Sequence, residues 1–600
     1  MLTEVKETKM KFSKRTHTCG KLTVKDVGKS VVLNGWVDKR RDLGGVIFVG
    51  LRDRYGITQV VFEPENNEEA HRVGKELRNE FVISIEGTVR KRPDDQINKG
   101  MKTGSIDVIV NKIVILNESE TPPFPIKDNI ETFEDLRLKY RYLDLRRPVF
   151  QKTLLLRHRM YQIVRKYFDE NSFIEIETPM LMKSTPEGAR DYLVPSRIHK
   201  GKFYALPQSP QTYKQLLMIS GFDRYFQIVK CFRDEDFRAD RQPEFTQIDV
   251  EMSFVDTEDV LEVVEGLMKL LFKEIWNKEL KEPVPRFTFN EAMERYGSDK
   301  PDIRFSLELI TLNSVFKNSE FKVFKDAIGS EGIVSGLVAP GCAKYSRNQI
   351  DNLTKIVKNL GAKGLVWIKV TEDGIDSPIA KFLSDDEKEK IVKTMNAGAG
   401  DLILILAGKR LKTLIQMGVL RLEMAKRLEL VNPDVEPELL WVTDFPLLDW
   451  DEETKRYYAM HHPFTSPRME DIGLLDTDPG KVKARAYDLV LNGYEIAGGS
   501  IRIHNSDLQL KMFKVLGISK EEAEKKFGFL MNAFKYGAPP HGGIAFGFDR
   551  MVMIFAGGTS IRDTIAFPKT TSALSLMDES PSEVSEEQLK ELHIAIRKES

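Results

Sequence analysis

The amino-acid sequence predicts a multidomain protein with a small N-terminal β barrel, an α+β core built on antiparallel strands, and an inserted α/β domain. Its length of 600 residues corresponds to three or four domains at about 150 residues each. Short β-rich segments fill the first part of the chain, and two strand-like segments flank a charged loop in the middle. A glycine-rich stretch of different composition interrupts the second half.

The composition, with 41% hydrophobic and 30% charged residues, is typical of a soluble globular protein. No run of about 18 apolar residues indicates a membrane span, and the N-terminus lacks the apolar segment of a secretory signal. Three widely spaced cysteines without a CxxC pair disfavour a disulfide framework and a zinc site. We therefore expect a cytoplasmic protein without a membrane partner.

Residues 1–120 form the first predicted domain. Five β-rich segments between turn residues predict a closed barrel, preferably an OB-fold, with a β sandwich as the alternative. The segments are SVVLNGWVDKR, GVIFVGLRD, GITQVVFEP, FVISIEGTVRKR and SIDVIVNKIVIL. Residues 1–60 hold 13 Lys or Arg against 6 Asp or Glu, which suits contact with a phosphate backbone.

One group of barrel residues combines cations, a ring and an amide: Arg41 beside Arg40, Phe48, and Gln59. Single-stranded nucleic acid binds such combinations through base stacking and phosphate contacts. Phe48 taken alone is more typical of a hydrophobic core.

The proline-rich stretch TPPFPIKDN predicts a linker within residues 121–150, and residues 151–304 form the first predicted part of the core. An apolar stripe at helical spacing opens it, formed by Leu156, Met160, Ile163, Val164, Tyr167 and Phe168. FIEIETPML follows, where Pro179 marks a sheet edge or an interface.

RYFQIVKCF and FTQIDVEMSF predict an antiparallel hairpin around CFRDEDFRADRQPEF, a stretch with eight charges. The second strand alternates between an apolar set and a polar set: Ile248, Val250, Met252 and Phe254 against Gln247, Asp249, Glu251 and Ser253. A solvated hairpin tip is one interpretation. The polar face beside an arginine-rich loop favours another, the floor of a polar site.

Residues 305–425 carry glycine-rich turns and the apolar strand of NAGAGDLILILAG, which predict the inserted α/β domain. Residues 426–600 return to the core with WVTDFPLLDW, the strand pair YDLVLNGYEIAGGSIRIH, and a strand followed by a helix in GAPPHGGIAFGFDRMVMIFAGG. SEEQLKELHIAIRK predicts a C-terminal amphipathic helix with a capping box at Ser585 and Gln588.

Three separated pieces share one chemistry. Arg233 and Glu235 lie in the charged loop, Asp488 and Glu495 lie in the strand pair, and Arg550 follows closely spaced glycines. Arginines for phosphate oxygens, carboxylates for Mg²⁺ and glycines that permit close backbone approach predict a nucleoside triphosphate site. The sequence contains no GxxxxGK[ST] loop, so it does not belong to the P-loop enzymes.

FIEIETPML, FRDED with FTQIDVEMSF, and GGIAFGFDR resemble the three signature motifs of class II aminoacyl-tRNA synthetases. The order of barrel, linker, core, insertion and core resembles the bacterial-type aspartyl-tRNA synthetases of subclass IIb over nearly the whole chain. QSPQTYKQLLM, HHPFTSP and NGYEIAGGSIRIH are specific to that family. One departure is Gly50 in IFVGLRD, where a polar residue is more usual.

The resemblance implies that ATP activates L-aspartate to aspartyl-adenylate, and that the aspartyl group passes to the terminal adenosine of tRNA(Asp), with tRNA(Asn) as a second candidate. It also implies Mg²⁺, a homodimer with Pro179 near its interface, and anticodon binding by Arg41, Phe48 and Gln59. The implied catalytic residues are Arg233, Glu235 and Arg550, and the implied metal ligands are Asp488 and Glu495.

The remaining implied roles are binding roles. ATP would contact Arg233, Asp234, Glu235, Gln242, Glu495, Gly547, Phe548, Asp549 and Arg550. Aspartate would contact Glu187, Ser209, Gln211, Lys214, Arg233, Asp249, His461, His462 and Arg502. Ser209 has a plain alternative as a helix cap, and His462 as a residue that orients its neighbour.

Three alternatives remain open. Asparaginyl- and lysyl-tRNA synthetases share the barrel and the core but do not need two cations against a short acidic side chain. A non-enzymatic RNA-binding protein would be expected to lose Arg233, Glu495 or Arg550, and all three are present. A tRNA-independent amino-acid ligase would have no use for the N-terminal barrel.

Overall fold

The structure, a computed structural model, describes residues 12–185, 189–235, 241–432 and 435–597. The chain forms two compact units, residues 1–154 with 575–580 and residues 155–574 with 581–600. Among the described residues, no helix combines the length and the apolar character that crossing a bilayer requires.

The first unit contains a closed five-stranded barrel with strands in the order β1-β2-β3-β5-β4. The strands are β1 Ser30–Leu43, β2 Val46–Asp53, β3 Gly56–Phe62, β4 Val82–Lys91 and β5 Ile106–Asn117. Alternate residues of β1 and β2, such as Val31, Leu33, Ile47 and Val49, are almost fully buried inside the barrel. The predicted barrel is confirmed, and the sandwich alternative is wrong because the five strands close on themselves.

Four of the described helices lie within or after the barrel in the sequence, and the last of them continues into the second unit. They are α1 Glu68–Glu76, α2 Glu134–Lys139, α3 Arg141–Asp144 and α4 Pro148–Glu170, with 3₁₀ turns at Val24–Asp26 and Asp94–Gln96. The long helix α4 contains the predicted apolar stripe, and Met160, Val164 and Phe168 are fully buried.

The core of the second unit is an eight-stranded sheet in the order β11-β17-β20-β21-β22-β10-β9-β6. Its first part consists of β6 Ile174–Glu175, β7 Leu193–Pro195, β8 Phe203–Ala205, α5 Gln211–Ile219, β9 Arg224–Phe232, β10 Glu244–Ser253, α6 Thr257–Leu271, a π turn at Phe272–Trp276, β11 Arg286–Thr288 and α7 Phe289–Tyr296. Strands β7 and β8 form a separate ribbon.

The predicted hairpin is confirmed, because β9 and β10 pair antiparallel from Phe232 opposite Glu244 to Arg224 opposite Met252. Ile248 and Val250 face the hydrophobic core. The alternation stops one residue earlier than predicted: β10 ends at Ser253, and Phe254 adopts a φ of 58° and is 73% exposed.

The inserted segment forms its own five-stranded sheet in the order β12-β13-β16-β14-β15. Its elements are β12 Ile310–Thr311, α8 Lys322–Gly329, β13 Ile333–Ala339, α9 Arg347–Asn359, β14 Val366–Thr371, β15 Gly374–Asp376, a 3₁₀ turn at Ala380–Phe382, α10 Asp385–Met395, β16 Leu402–Gly408 and α11 Arg410–Arg427. Leu404 and Met417 belong to the same hydrophobic cluster as Leu440 and Val442 of the main sheet. The insertion therefore packs onto the core through a shared apolar interior.

The remaining elements complete the core. They are β17 Leu439–Thr443, β18 Leu448–Asp451, β19 Arg456–Ala459, α12 Leu474–Thr477, β20 Ala486–Leu491, β21 Tyr494–Ile501, α13 Ser506–Val515, α14 Lys520–Phe534, β22 His541–Gly547, α15 Phe548–Phe555 and α16 Glu586–Glu591, with 3₁₀ turns at Met469–Asp471, Pro479–Lys481 and Ile561–Thr564. The capping box at Ser585 and Gln588 is confirmed, but α16 ends at Glu591, so the predicted amphipathic helix is only one and a half turns long.

Candidate active site

A cleft of about 580 Å³ lies over the polar face of the main sheet. Strands β10, β21 and β22, helices α5 and α15, and the loop after β9 supply its walls. Most of the sequence-predicted site residues line it: Ser209, Gln211, Lys214, Arg233, Glu235, Gln242, Asp249, His461, His462, Asp488, Glu495, Arg502, Gly547, Asp549 and Arg550.

Four oppositely charged side chains are buried together on the floor of the cleft. Lys214 Nζ lies 2.6 Å from Asp249 Oδ1 and 3.2 Å from Glu251 Oε2. Arg502 donates to Glu251 through Nε at 2.9 Å and Nη2 at 3.1 Å. None of these four side chains is more than 3% exposed. Because buried charges are tolerated only when paired, the four residues act as one unit.

The carboxylates on this floor respond differently to their surroundings. Burial raises the pKa of Asp249, and the nearby Lys214 offsets only part of that effect. Burial would also raise the pKa of Glu251, but Arg502 and Lys214 together outweigh it and hold this pKa below its ordinary value. The surroundings therefore favour the charged form of Glu251 more than that of Asp249.

Asp249 retains binding capacity. Its Oδ2 atom is buried and has no hydrogen-bond partner among the described residues. Since an unsatisfied buried oxygen is costly, this atom is suited to accept a hydrogen bond from a cationic ligand group. Nearby, α5 begins at Gln211 with Pro210 as its N-cap residue, so the helix-cap alternative for Ser209 is wrong.

The two adjacent histidines have different environments. Arg502 Nη1 donates to His462 Nε2 at 2.6 Å, which requires an unprotonated Nε2 because arginine can only donate. Burial and the nearby Arg502 lower the pKa of His462 well below its ordinary value. His461 instead lies 3.7 Å from Asp488. Of the pair, His462 is therefore the residue that orients Arg502.

Asp488 on β20 and Glu495 on β21 form a carboxylate pair at the other end of the cleft. A Cβ atom at Gly498 would lie 2.8 Å from Asp488 Oδ1 and 3.8 Å from Glu495 Oε1, so both carboxylates crowd this glycine. The charge of Asp488, followed by burial, raises the pKa of Glu495. Among the described residues, no group of three or more His, Cys, Asp or Glu side chains could hold a metal ion. A carboxylate pair still fits Mg²⁺, which commonly takes its remaining ligands from water and substrate phosphates.

Three arginines, Arg233, Arg241 and Arg550, also line the cleft. Arg233 places its guanidinium 5.1 Å from the centre of the Phe245 ring. Glu235 pairs with Arg241 at 3.1 Å. Arg550 Nη1 donates to the backbone oxygen of Glu495 at 2.5 Å, which fixes the guanidinium beside the carboxylate pair.

Two residues of the predicted ATP set do not line the cleft. Asp234 does not line the cleft and instead pairs with Arg190 at 3.8 Å, because successive residues of an extended chain face opposite sides. Phe548 is fully buried and stacks on Tyr161 at 4.4 Å between ring centres, so its side chain belongs to the core.

Two other predicted ligands are already engaged. Asp549 accepts from Arg157 at 2.6 Å and from the Thr246 backbone N–H at 2.8 Å. The Gln242 amide exchanges two hydrogen bonds with the backbone of Lys569, at 3.0 and 2.8 Å. Both side chains therefore hold the walls of the cleft in place. Glu187 lies outside the described residues.

Sequence reasoning assigned no role to four charged residues of this site, Arg241, Glu251, Asp299 and Lys300. The alternation of β10 predicts that Glu251 lies on its polar face. Its pairing with Arg502 joins residues that are distant in sequence, so no local sequence pattern indicates it. Lys300 lines the cleft, although SDKPDIRF reads in the sequence only as a proline-containing stretch at a domain boundary.

On the barrel, the predicted nucleic-acid residues share one outer face. Arg41 stands opposite Phe48 in the register of β1 and β2, and Arg41 Nη2 donates to Gln59 Oε1 at 3.1 Å. Phe48 is only partly buried while Ile47 and Val49 fill the interior, so the core alternative for Phe48 is wrong. Gly50 stands opposite Gln59 on the same face.

Comparison with known families identifies both parts of the chain. Residues 133–571 match the family described as "tRNA synthetases class II (D, K and N)", and residues 31–116 match the "OB-fold nucleic acid binding domain". The chain belongs to the class II tRNA synthetases. Members of this enzyme family use ATP, which agrees with the cations and the carboxylate pair of the cleft.

Similar proteins cover nearly the whole chain. It is 58% identical over 583 residues to the aspartate–tRNA(Asp/Asn) ligase of Caldanaerobacter subterraneus subsp. tengcongensis, a match that spans 97% of this chain and 98% of that protein. It is 56% identical over 588 residues to the aspartate–tRNA ligase of Staphylococcus carnosus, spanning 98% and 100%.

Solved structures share the fold. Asparaginyl-tRNA synthetase from Pyrococcus horikoshii, complexed with asparaginyl-adenylate, superposes with a TM-score of 0.58 at 20% identity, covering 94% of this chain and 99% of that chain. A putative aspartyl-tRNA synthetase from Leishmania major Friedlin gives a TM-score of 0.57 at 19% identity, covering 93% and 95%.

Because Asp488 and Glu495 repel each other, mutation of Asp488 should stabilise the protein by an amount that depends on pH. In metal-free buffer at neutral pH, Asp488→Asn should raise the unfolding temperature because it removes the main cause of the raised Glu495 pKa. A raised folded-state pKa means that the associated stability is present at low pH and is lost as the pH rises through that pKa. The gain should therefore shrink at acidic pH, where Glu495 binds a proton in the wild type.

Thermal unfolding followed by calorimetry measures this difference. Titration with MgATP provides the control, because the wild type should be stabilised more than the variant if the two carboxylates hold the metal. A variant no more stable than the wild type at neutral pH would contradict the repulsion between the two side chains.

Proposed function

We propose that this protein is an aspartate–tRNA ligase, which activates L-aspartate with ATP and transfers the aspartyl group to the 3′-hydroxyl of the terminal adenosine of tRNA(Asp). The observation that carries the proposal is the buried floor of the cleft, where Lys214 and Arg502 stand beside Asp249. Cations for a side-chain carboxylate and an anion for an ammonium group are complementary to aspartate. The names of the similar ligases make tRNA(Asn) a second candidate acceptor.

The first step brings two anions together, the α-carboxylate of aspartate and the α-phosphate of ATP. Their repulsion must be neutralised before in-line attack, and positioned cations are the usual means. We assign this role to Arg233, which stacks on Phe245 between the floor and the carboxylate pair. Arg550 binds the far phosphates, and Glu235 contacts the adenosine side.

Asp488 and Glu495 would hold Mg²⁺, which neutralises charge on the phosphates when bound. Arg550 keeps its place because its Nη1 is tied to the backbone oxygen of Glu495. Near Gly547, a Cβ atom would meet no atom closer than 3.9 Å, which leaves open space for a flat base.

At the other end of the cleft, Asp249 Oδ2 accepts a hydrogen bond from the substrate ammonium, together with Ser209 and Gln211. The side-chain carboxylate of aspartate receives hydrogen bonds from Lys214 and Arg502. Glu251 already neutralises part of the charge of Lys214 and Arg502. Selectivity then depends on donor geometry: these groups offer only N–H donors, and the amide nitrogen of asparagine cannot accept from them.

ATP–pyrophosphate exchange with each amino acid, with and without tRNA, tests the proposal. Exchange that depends on aspartate and ATP is expected, followed by transfer to transcripts of tRNA(Asp). Preferential activation of asparagine or lysine would assign the chain to another branch of the family. Absence of exchange with every amino acid would favour an RNA-binding protein without catalysis.

Arg502→Leu should reduce aspartate activation by hundreds to thousands of fold, since breaking a buried ion pair costs about 3 to 5 kcal/mol. Activation of asparagine, already weak, should change little. Arg410→Leu is the matched control, because Arg410 pairs with Glu294 on the surface, where both are about half exposed.

Pyrophosphate exchange with aspartate and with asparagine measures this effect, on Arg502→Leu protein whose folding has been checked by circular dichroism. An unchanged preference for aspartate would refute the role of Arg502. Loss of activity with both amino acids, together with a lowered unfolding temperature, would mean that Arg502 acts only by neutralising Glu251.

The barrel face is assigned to the anticodon of the tRNA. Phe48→Ala should weaken tRNA binding by roughly 1 to 3 kcal/mol through lost base stacking, while aspartyl-adenylate formation stays unchanged. Filter binding and pyrophosphate exchange separate the two effects, and Tyr536→Ala, at an 85% exposed ring outside the barrel, is the control. Equal losses in both assays would mean that Phe48 only stabilises the fold.

We further propose a homodimer formed around the segment that contains Pro179. Ile174 and Leu181, on either side of Pro179 in the sequence, are 50% and 51% exposed, and Leu155 of the preceding helix is 46% exposed, which provides apolar surface for a partner. Light scattering should give twice the chain mass of 68.7 kDa. The double variant Ile174→Asp, Leu181→Asp should give a measured mass closer to that of the monomer. A fully active wild-type monomer at micromolar concentration would overturn the proposal.

The cytoplasm is the proposed place of action. All three cysteines are buried and none forms a disulfide within the described chain, in agreement with a reducing compartment.

A further inference from the structure

Lys300 is a charged residue of the cleft to which no role has been assigned so far. It follows α7 and precedes the inserted sheet, and it lines the cleft together with Asp299. Its side chain is exposed, and the described residues include no ion-pair partner for it. An exposed lysine is most often only a solvated surface group, so its position and surroundings decide whether it has a function.

The backbone around Lys300 is held against the strand pair that carries Asp488 and Glu495. The Lys300 N–H donates to Ser298 Oγ at 3.1 Å. Two residues later, Asp302 packs so closely against the β20–β21 turn that a Cβ atom at Gly493 would lie 2.9 Å from the Asp302 Cβ. Lys300 is therefore presented from a segment that is anchored to the metal-binding strands.

The inserted domain holds the same segment from the other side. Arg421 on α11 is 1% exposed, and its Nη2 donates to the backbone oxygens of Asp302 at 2.8 Å and Phe305 at 3.1 Å. Its guanidinium also lies 4.1 Å from the centre of the Phe305 ring. A buried arginine that satisfies several carbonyl groups makes this connection rigid.

The electrostatics at this end of the cleft favour phosphate binding. Three carboxylates, of Asp299, Asp488 and Glu495, stand against two cations, Lys300 and Arg550. Once a divalent cation is bound, the balance becomes positive at the place where the ATP phosphates would lie.

We propose that Lys300 binds the terminal phosphates of ATP and the pyrophosphate that leaves after aspartate activation. This inference rests on the proposed function. The ammonium group of Lys300 supplements Arg550 at the phosphate end, while Arg233 serves the α-phosphate. The inserted domain thereby contributes to the catalytic cleft through the segment that Arg421 fixes.

Lys300→Ala should raise the KM for ATP and the KM for pyrophosphate in the reverse reaction by about 10-fold, the usual effect of losing one charge-assisted hydrogen bond. The KM for aspartate should not change. Lys300→Arg should restore most of the loss because the charge is kept. Lys355→Ala is the matched control, because Lys355 is an exposed lysine of the inserted helix α9 away from the cleft.

Calorimetric titration of MgATP without amino acid provides a second measurement that does not depend on the reaction. Weaker ATP binding by Lys300→Ala, with normal binding by Lys355→Ala, is expected even if the preferred amino acid differs from aspartate. Unchanged ATP and pyrophosphate parameters in a variant that unfolds at the wild-type temperature would overturn the proposal. A change confined to the KM for tRNA would also overturn it and assign Lys300 to the nucleic acid.

Discussion

Lys214, Asp249, Glu251 and Arg502 are buried together beneath the cleft, and each is held by an oppositely charged partner. Removing any one of them would leave an uncompensated charge in the interior. The cluster joins α5, β10 and the residue after β21, so the packing of these elements and the shape of the cleft floor depend on the same contacts. Any change to one of these residues should therefore alter both the stability of the core and the floor of the cleft.

Glycines on the neighbouring strands make room for the buried carboxylates. A Cβ atom at Gly543 would lie 2.1 Å from Glu251 Oε2, and one at Gly498 would lie 2.8 Å from Asp488 Oδ1. Glycine-rich strands normally weaken a sheet. Here the missing side chains make room for carboxylates on neighbouring strands, so the glycines of β21 and β22 serve the charged groups as much as any bound base.

The inserted domain takes part in this organisation without supplying the floor. Its hydrophobic interior is continuous with that of the main sheet, and Arg421 fixes the segment that leads from α7 into the insertion. The carboxylates of Asp488 and Glu495 repel each other in the absence of a cation, which raises the pKa of Glu495. The cleft thus contains unfavourable charge at this carboxylate pair, and groups with shifted pKa values are common at functional sites.

The sequence by itself determined the barrel, the hairpin of β9 and β10, the insertion and most of the cleft residues, because alternation, turn residues and short motifs are local signals. It also placed Glu251 on the correct face of its strand. It could not show that Glu251 pairs with Arg502, that Asp549 pairs with Arg157, or that Lys300 lines the cleft. Each of these contacts joins segments that are distant in sequence and that only the folded sheet brings together. The sequence also could not show that the side chains of Asp234 and Phe548 do not line the cleft, because strand alternation and core packing decide which residues of a motif face the cleft.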